Sequence, residues 1–174
     1  MVRYPTDEEY LSYDGGHCSS LWGSLGESWR CPGCQRSKRE ILSWKPGRTS
    51  MRVRLAPAWR TALHGHHDHQ THIGLDARFP ETVVCGACNA ADGYVKVKLC
   101  LPVWFSYSPM EMSSFVTGRP HQGHLIDLAE AKMVWNVIGG DLVRQVEEVF
   151  VFDHANRDYA SRAPIYPSEQ SEDT

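Results

Sequence analysis

Two Cys-x-x-Cys pairs, Cys31/Cys34 and Cys85/Cys88, constrain this chain more than any other feature in it. Each pair is a knuckle that presents two thiolates to one ion. Two knuckles together supply a tetrahedral structural zinc with its four sulfurs, each about 2.3 Å from the metal. Any fold this chain adopts must therefore bring residues 31–34 and 85–88 into contact. Six cysteines could also make disulfides. The N-terminus, however, is polar and acidic (Asp7-Glu8-Glu9) where an export signal is basic and then apolar, so tight knuckles here point to metal. Cys18 and Cys100 remain as buried or reduced thiols.

Between and just after the knuckles stand His66, His67, Asp68, His69 and Asn89, which offer nitrogen and oxygen rather than sulfur. Such a mixed cluster suits a harder divalent cation with positions open to water and phosphate. The zinc then reads as a staple and the histidine segment as the working site. Each residue also has a plainer reading. Asp68 is a turn or orienting residue more readily than a ligand, and Asn89 could cap a helix. His64 and His72 match no motif position and read as surface residues. His121 and His124, three apart, could bind a metal, but surface placement is the preferred reading.

The net charge of −3 hides a segregation of sign. Residues 30–60 carry Arg30, Arg36, Lys38, Arg39, Lys45, Arg48, Arg52, Arg54 and Arg60 against the single acid Glu40, while acids collect toward the two ends. This basic island is either a solvated surface or a local anion site. Arg36, Lys38, Arg39, Arg48, Arg52, Arg54 and Lys96 are the candidates for phosphate contact. No apolar run approaches the ~20 residues of a membrane span, and the chain reads as soluble and cytoplasmic, with no membrane partner.

The expected fold class is α+β. Thr6 with Glu9 forms a capping box opening a helix to about Tyr13, and a Ser/Gly-rich loop then leads to the first knuckle. Strands are expected at Ile41 to Trp44, at Met51 to Leu55, at Trp59 to His64 and at Glu81 to Val84. A helix follows from Asn89 to about Leu99. Ser108-Pro109-Met110-Glu111 opens another, ending near Gly118. Ile126, Ala129, Met133 and Val137 mark a helix stopped by Gly139-Gly140, and Leu142 to Phe150 mark one more. The organisation predicted is residues 1–30 as N-terminal helix and loop, 31–100 as core, 101–155 as a helical region and 156–174 as a loose tail.

The residues Cys31-Pro32-Gly33-Cys34-Gln35-Arg36, His66-His67-Asp68-His69 and Cys85-Gly86-Ala87-Cys88-Asn89-Ala90-Ala91-Asp92-Gly93 resemble the zinc-stapled HNH (ββα-metal) nucleases, most closely the phage recombination endonuclease VII type. The resemblance covers residues 31–99. It implies a ββα-metal core, a structural Zn²⁺ on Cys31, Cys34, Cys85 and Cys88, and metal-dependent endonuclease activity on DNA in a bacterial or phage setting. It implies further that His67 is the general base, that His66 and Asn89 hold a catalytic Mg²⁺ or Mn²⁺, and that His69 assists at the phosphate. His66 departs from the pattern, which has an acid there. The segment between Cys34 and His66 is also longer than in the family. Restriction enzymes and junction resolvases both cut as two-fold dimers, so a homodimer is expected. The rival expectation is a non-catalytic zinc module that binds nucleic acid or protein, with the histidines on a second structural zinc.

Overall fold

The computed structural model describes residues 2–49 and 54–161. The elements run α1 (Asp7–Leu11), α2 (Ser19–Ser24), β1 (Ser43–Lys45), β2 (Arg48–Thr49), β3 (Arg54–Leu55), β4 (Ala58–Arg60), β5 (Leu63–His66), β6 (Thr82–Cys85), α3 (Gly86–Lys98), α4 (Pro109–Phe115), β7 (Val116–Thr117), β8 (Leu125–Ile126) and α5 (Leu128–Ser161). The chain is mixed α and β, and its sheets are two-stranded and antiparallel. It divides into two compact units, residues 1–135 and 136–174.

The N-terminal capping box forms as expected: Thr6 accepts from the Glu9 amide while the Glu9 carboxylate accepts from the Thr6 amide. The helix it opens ends at Leu11, short of Tyr13. The segment expected as loop instead turns through Gly16–Cys18 and forms α2. Trp22 is the reason. It is 7% exposed and packs edge-on against Tyr10 and Tyr13, and packing of an apolar anchor stabilises a helix that propensity would not. Gly15 makes the approach possible, with φ +88° and a position where a Cβ would lie 2.4 Å from Trp22 Cβ.

Residues 43–49 and 54–60 form a β-ribbon. β1 pairs with β4 in the register Ser43↔Arg60, Trp44↔Trp59, Lys45↔Ala58, and β2 pairs with β3 inside it. Successive side chains alternate faces, so Trp44 and Trp59 share one side and Ser43, Lys45 and Arg60 the other. The two tryptophans meet at 5.3 Å, with the Arg3 guanidinium 3.6 Å over Trp44. Ile41 and Leu42, expected in the first strand, are buried just before it. Of the expected strand from Met51 to Leu55, only Arg54–Leu55 lies among the described residues, so Arg52 is outside them.

β5 and β6 form an antiparallel hairpin with Leu63 opposite Cys85 and His66 opposite Thr82, and α3 follows β6 without a linker. The helix starts at Gly86, not at Asn89. The second knuckle is thus the N-cap and first turn of α3, and Asn89 stands inside the helix, which removes its reading as a cap. Gly86 permits this junction, because a Cβ there would sit 2.6 Å from Ala62 Cβ.

Beyond Pro102 an aromatic core holds the hairpin and helix from outside. Phe105, Tyr107 and Met112 are fully buried and Phe115 nearly so; Phe105 lies 4.7 Å from both Tyr107 and Trp135, and Tyr107 lies 4.8 Å from Phe115. α4 begins with the Ser108/Glu111 capping box and Pro109 at its start, and it ends at Phe115, before Gly118. α5 corrects the C-terminal expectation. One helix of 34 residues runs through Gly139-Gly140, where two helices were predicted. Two glycines cost about 1 kcal/mol each against alanine, but adding residues to an established helix is cheap, and neither glycine takes a positive φ. The stripe whose spacing marks the helix is exposed at two positions, 56% at Met133 and 79% at Val137, while Ala131 is buried. The helix continues to Ser161, past the predicted start of a loose tail, and residues 162–174 lie outside the described ones. No helix among the described residues is long and apolar enough to cross a membrane.

Candidate functional site

The four knuckle cysteines converge, with ligand atoms all within 4.8 Å of one another. Cys31 Sγ lies 3.6 Å from Cys88 Sγ, and Cys34 Sγ lies 3.7 Å from Cys85 Sγ. A tetrahedron with 2.3 Å bonds has edges of about 3.8 Å, so these separations fit one zinc ion among four sulfurs. The first knuckle is built by a turn in which the Cys34 and Gln35 amides donate to Cys31 O, with Gln35 in the left-handed region at φ +60°. The second is built by the strand-to-helix junction of β6 and α3.

A cationic collar surrounds the sulfurs. Arg36, 4% exposed, donates from Nε to Cys34 Sγ at 3.4 Å and from Nη2 to Cys85 Sγ at 3.3 Å, while Nη1 donates to the carbonyls of Arg119 and Gln122. His124 Nε2 lies 3.3 Å from Cys88 Sγ, and the Cys85 amide donates to Cys31 Sγ. Four thiolates on one dication leave a net charge of about −2, which this collar offsets. Without a cation the sulfurs must share protons: a hydrogen bond from Cys31 draws Cys34 down to about 4, while Cys31 and Cys88 are pushed up. His124 therefore leaves the surface group to which its sequence context assigned it. His121 does too, since its Nδ1 donates to Leu42 O at 2.9 Å and its ring packs edge-on against Tyr4 and Trp59.

The histidine segment starts at the end of β5. His66 is 3% exposed and stacks on Phe79 at 5.5 Å. Its Nε2 lies 2.7 Å from Tyr107 O. A carbonyl only accepts, so this nitrogen carries the proton and Nδ1 keeps the ring's lone pair. His67 is half-buried, and its ring centroid lies 5.2 Å from His69 and 5.6 Å from His72. His72 is exposed, as expected, yet it joins this cluster, stacking on His69 at 5.4 Å. Its position follows from the 3-10 turn His69–Ile73, in a stretch where the sequence predicts irregular loop. His69 Nδ1 lies 3.4 Å from Val103 O, which leaves Nε2 as an acceptor in that tautomer. Burial, helped by the Lys96 charge, lowers the His69 pKa below the ordinary histidine value.

Asp68 is a turn residue. It is 1% exposed and caps the 3-10 turn by accepting from the Gln70 amide, while its other oxygen accepts from the Arg78 amide at 2.8 Å. Arg78 in turn forks onto Glu111 at 2.5 and 2.7 Å, tying the loop to the start of α4. Asn89 is half-buried on α3 and its side-chain amide makes no hydrogen bond among the described residues.

The candidate phosphate contacts separate sharply. Lys38 is 4% exposed and donates to Leu25 O with Glu27 beside it, and Arg39 is tied to Asp7 and Pro5 O. Lys96 pairs with Asp92 at 2.9 Å and donates to Phe105 O. With Arg36 on the thiolates, these four are satisfied internally, and the expectation that they meet phosphate is revised. Arg48 and Arg54 enter as paired backbone of β2 and β3. No family model, curated protein or solved structure matches the chain, so the HNH resemblance rests on its residues alone.

Proposed function

We propose that the chain is a metal-dependent DNA endonuclease, with Cys31, Cys34, Cys85 and Cys88 holding a structural zinc and His67 acting as general base. The observation that carries this reading is the anchoring of His66. A metal-binding imidazole characteristically donates its other N–H to a backbone carbonyl, which fixes tautomer and ring orientation. His66 Nε2 does this on Tyr107 O, and Tyr107 is itself held by its amide on Asp92 Oδ1 at 2.9 Å and by its hydroxyl on Ala131 O. His66 thus offers one prepared nitrogen at the end of a strand, in a β-β-α arrangement whose helix carries Asn89 with a free amide.

His66 Nδ1 and the Asn89 side-chain oxygen are neutral donors of the kind that would hold Mg²⁺ or, better with imidazole, Mn²⁺. When bound, such a cation supplies charge neutralisation at the phosphate and the departing oxygen. The chain's own groups do the rest. A neutral imidazole accepts a proton near pH 7, so His67, half-exposed and adjacent to His66, takes the proton of the attacking water. His69, whose pKa burial lowers, orients that water or the phosphate through its free nitrogen. The zinc contributes geometry, since of order 10–16 kcal/mol of binding energy stands behind the junction that seats α3 on β5 and β6.

The test is cleavage of supercoiled plasmid with Mg²⁺, Mn²⁺ or no added metal, beside His67→Ala. Conversion to nicked and linear DNA by the wild type, reduced about 10²–10⁴-fold in the variant, supports the reading. Undiminished cutting by His67→Ala removes His67 as the base. A second tightly held zinc per chain, with no cutting on plasmid or branched DNA, would favour the non-catalytic module.

A further inference from the structure

We propose that the cleft between the β-ribbon and the start of α3 is an anion site that holds a backbone phosphate of the nucleic acid, with Lys45 and Arg60 as its cations. The identity of the ligand rests on the nuclease reading; the existence of the site does not. The cleft encloses about 320 Å³, and none of its lining residues is acidic. Lys45 and Arg60 lie on the same face of the ribbon, opposite the tryptophans, because Arg60 pairs with Ser43 and Lys45 is two residues further on. Neither makes an ion pair among the described residues. They differ in this from Arg36, Lys38, Arg39 and Lys96, whose charges have internal partners.

Two further features point the same way. Gly86 and Ala87, the first residues of α3, line the cleft, and no side chain caps that helix because the sulfur of its N-cap, Cys85, belongs to the metal cluster. The N-terminal end of this 13-residue helix carries roughly half a positive charge, although its first amide, that of Gly86, already donates to Ala62 O at 2.7 Å. Thr61, 8% exposed, also lines the cleft. The thiolate of Cys85 would by itself repel an anion. Arg36, donating to that sulfur and reaching Gln122 O at the cleft's rim, offsets it. Arg60 precedes His67 by seven residues, a chain reach of at most about 25 Å. A phosphate in the cleft and a phosphate at the histidines therefore fall within about one 34 Å turn of a duplex.

The experiment is fluorescence anisotropy of a short labelled duplex over a salt series, with Ca²⁺ in place of Mg²⁺, for the wild type and for Lys45→Ser/Arg60→Ser. Loss of the one neutralised phosphate should reduce the slope of log K against log salt by about 0.9. The charge-conserving pair Lys45→Arg/Arg60→Lys should keep the slope, which a merely structural role would not predict. An unchanged slope in the serine variant, at equal zinc content and melting temperature, overturns the proposal. So does wild-type binding of inorganic phosphate with no binding of duplex, since the site would then serve a free anion. If the slope falls as expected but the wild type cuts no DNA with any metal, the cleft stands and the nuclease reading falls. Active cutting with an unchanged slope means the converse: the nuclease reading stands and the cleft falls.

Discussion

Cys85, Cys88 and the histidine segment lie on the same hairpin and helix, yet the cysteine cluster and the histidines are finished to different degrees. At the cysteines every donor converges, and Arg36, His124 and a backbone amide complete the surroundings, so no position is left for a substrate. At the histidines only one side of the site is fixed: His66 is anchored on Tyr107 O, while Asn89 has no hydrogen-bond partner among the described residues and His67, His69 and His72 stand in loose ring contact. A closed coordination set stabilises a fold, whereas an open one can exchange water and phosphate. The proposed function rests on this difference, with structure in the first region and chemistry in the second, and it can be broken by substitution.

The largest effect is expected at the cysteines. Cys88→Ser should lose the metal and, with it, folding energy of order 10–16 kcal/mol, leaving an unfolded chain by circular dichroism and no zinc by elemental analysis. Retention of a cooperative melt would show that the cluster is dispensable. His67→Ala should do the opposite, lowering cleavage by about 10²–10⁴-fold with zinc content and melting temperature unchanged. Between these extremes lies Lys96→Ala, which strands a carboxylate, Asp92, that is 4% exposed. Breaking such a pair should cost about 3 kcal/mol, read from the urea midpoint. Gly86→Ala places a methyl 2.6 Å from Ala62 Cβ, with an expected loss of about 1–3 kcal/mol and weaker zinc retention.

The smallest effect is one of pH. Burial lowers the His69 pKa in the folded chain, so the unfolded chain takes up that proton first as pH falls below the ordinary value near 6.5. The stability His69 contributes is present above that value and lost as pH drops through the folded pKa. His69→Gln should therefore flatten the fall in urea midpoint between neutral and mildly acidic pH, and an identical fall in both proteins would refute this.

Much of this was legible because it depends on neighbours in sequence. Cys-x-x-Cys spacing dictates two sulfurs on one side of a tight turn, and the capping boxes at Thr6 and Ser108 each need only a residue three positions on. The order strand, loop, strand, knuckle, helix was legible from patterning, although the first strand, expected at Trp59 to His64, is divided between the end of β4 and the start of β5. What escaped was contingent on distant partners. Gly139-Gly140 reads as a stop, yet long helix on both sides carries α5 through it. His124 stands far along the chain from the cysteines and became their neighbour only when β7 and β8 brought it back.

The sequence by itself determined which atoms could bind metal, because ligand chemistry and knuckle spacing are local properties of a few residues. It determined as well that positive charge concentrates in residues 30–60. Only the tertiary structure decided which of those charges remain available. Arg36, Lys38 and Arg39 found thiolates, carbonyls and carboxylates, and a cation so paired has little left for phosphate, whereas Lys45 and Arg60 came to share an acid-free cleft. A charge is inherited from the residue type, but whether it is free depends on what folding places within a few ångströms of it.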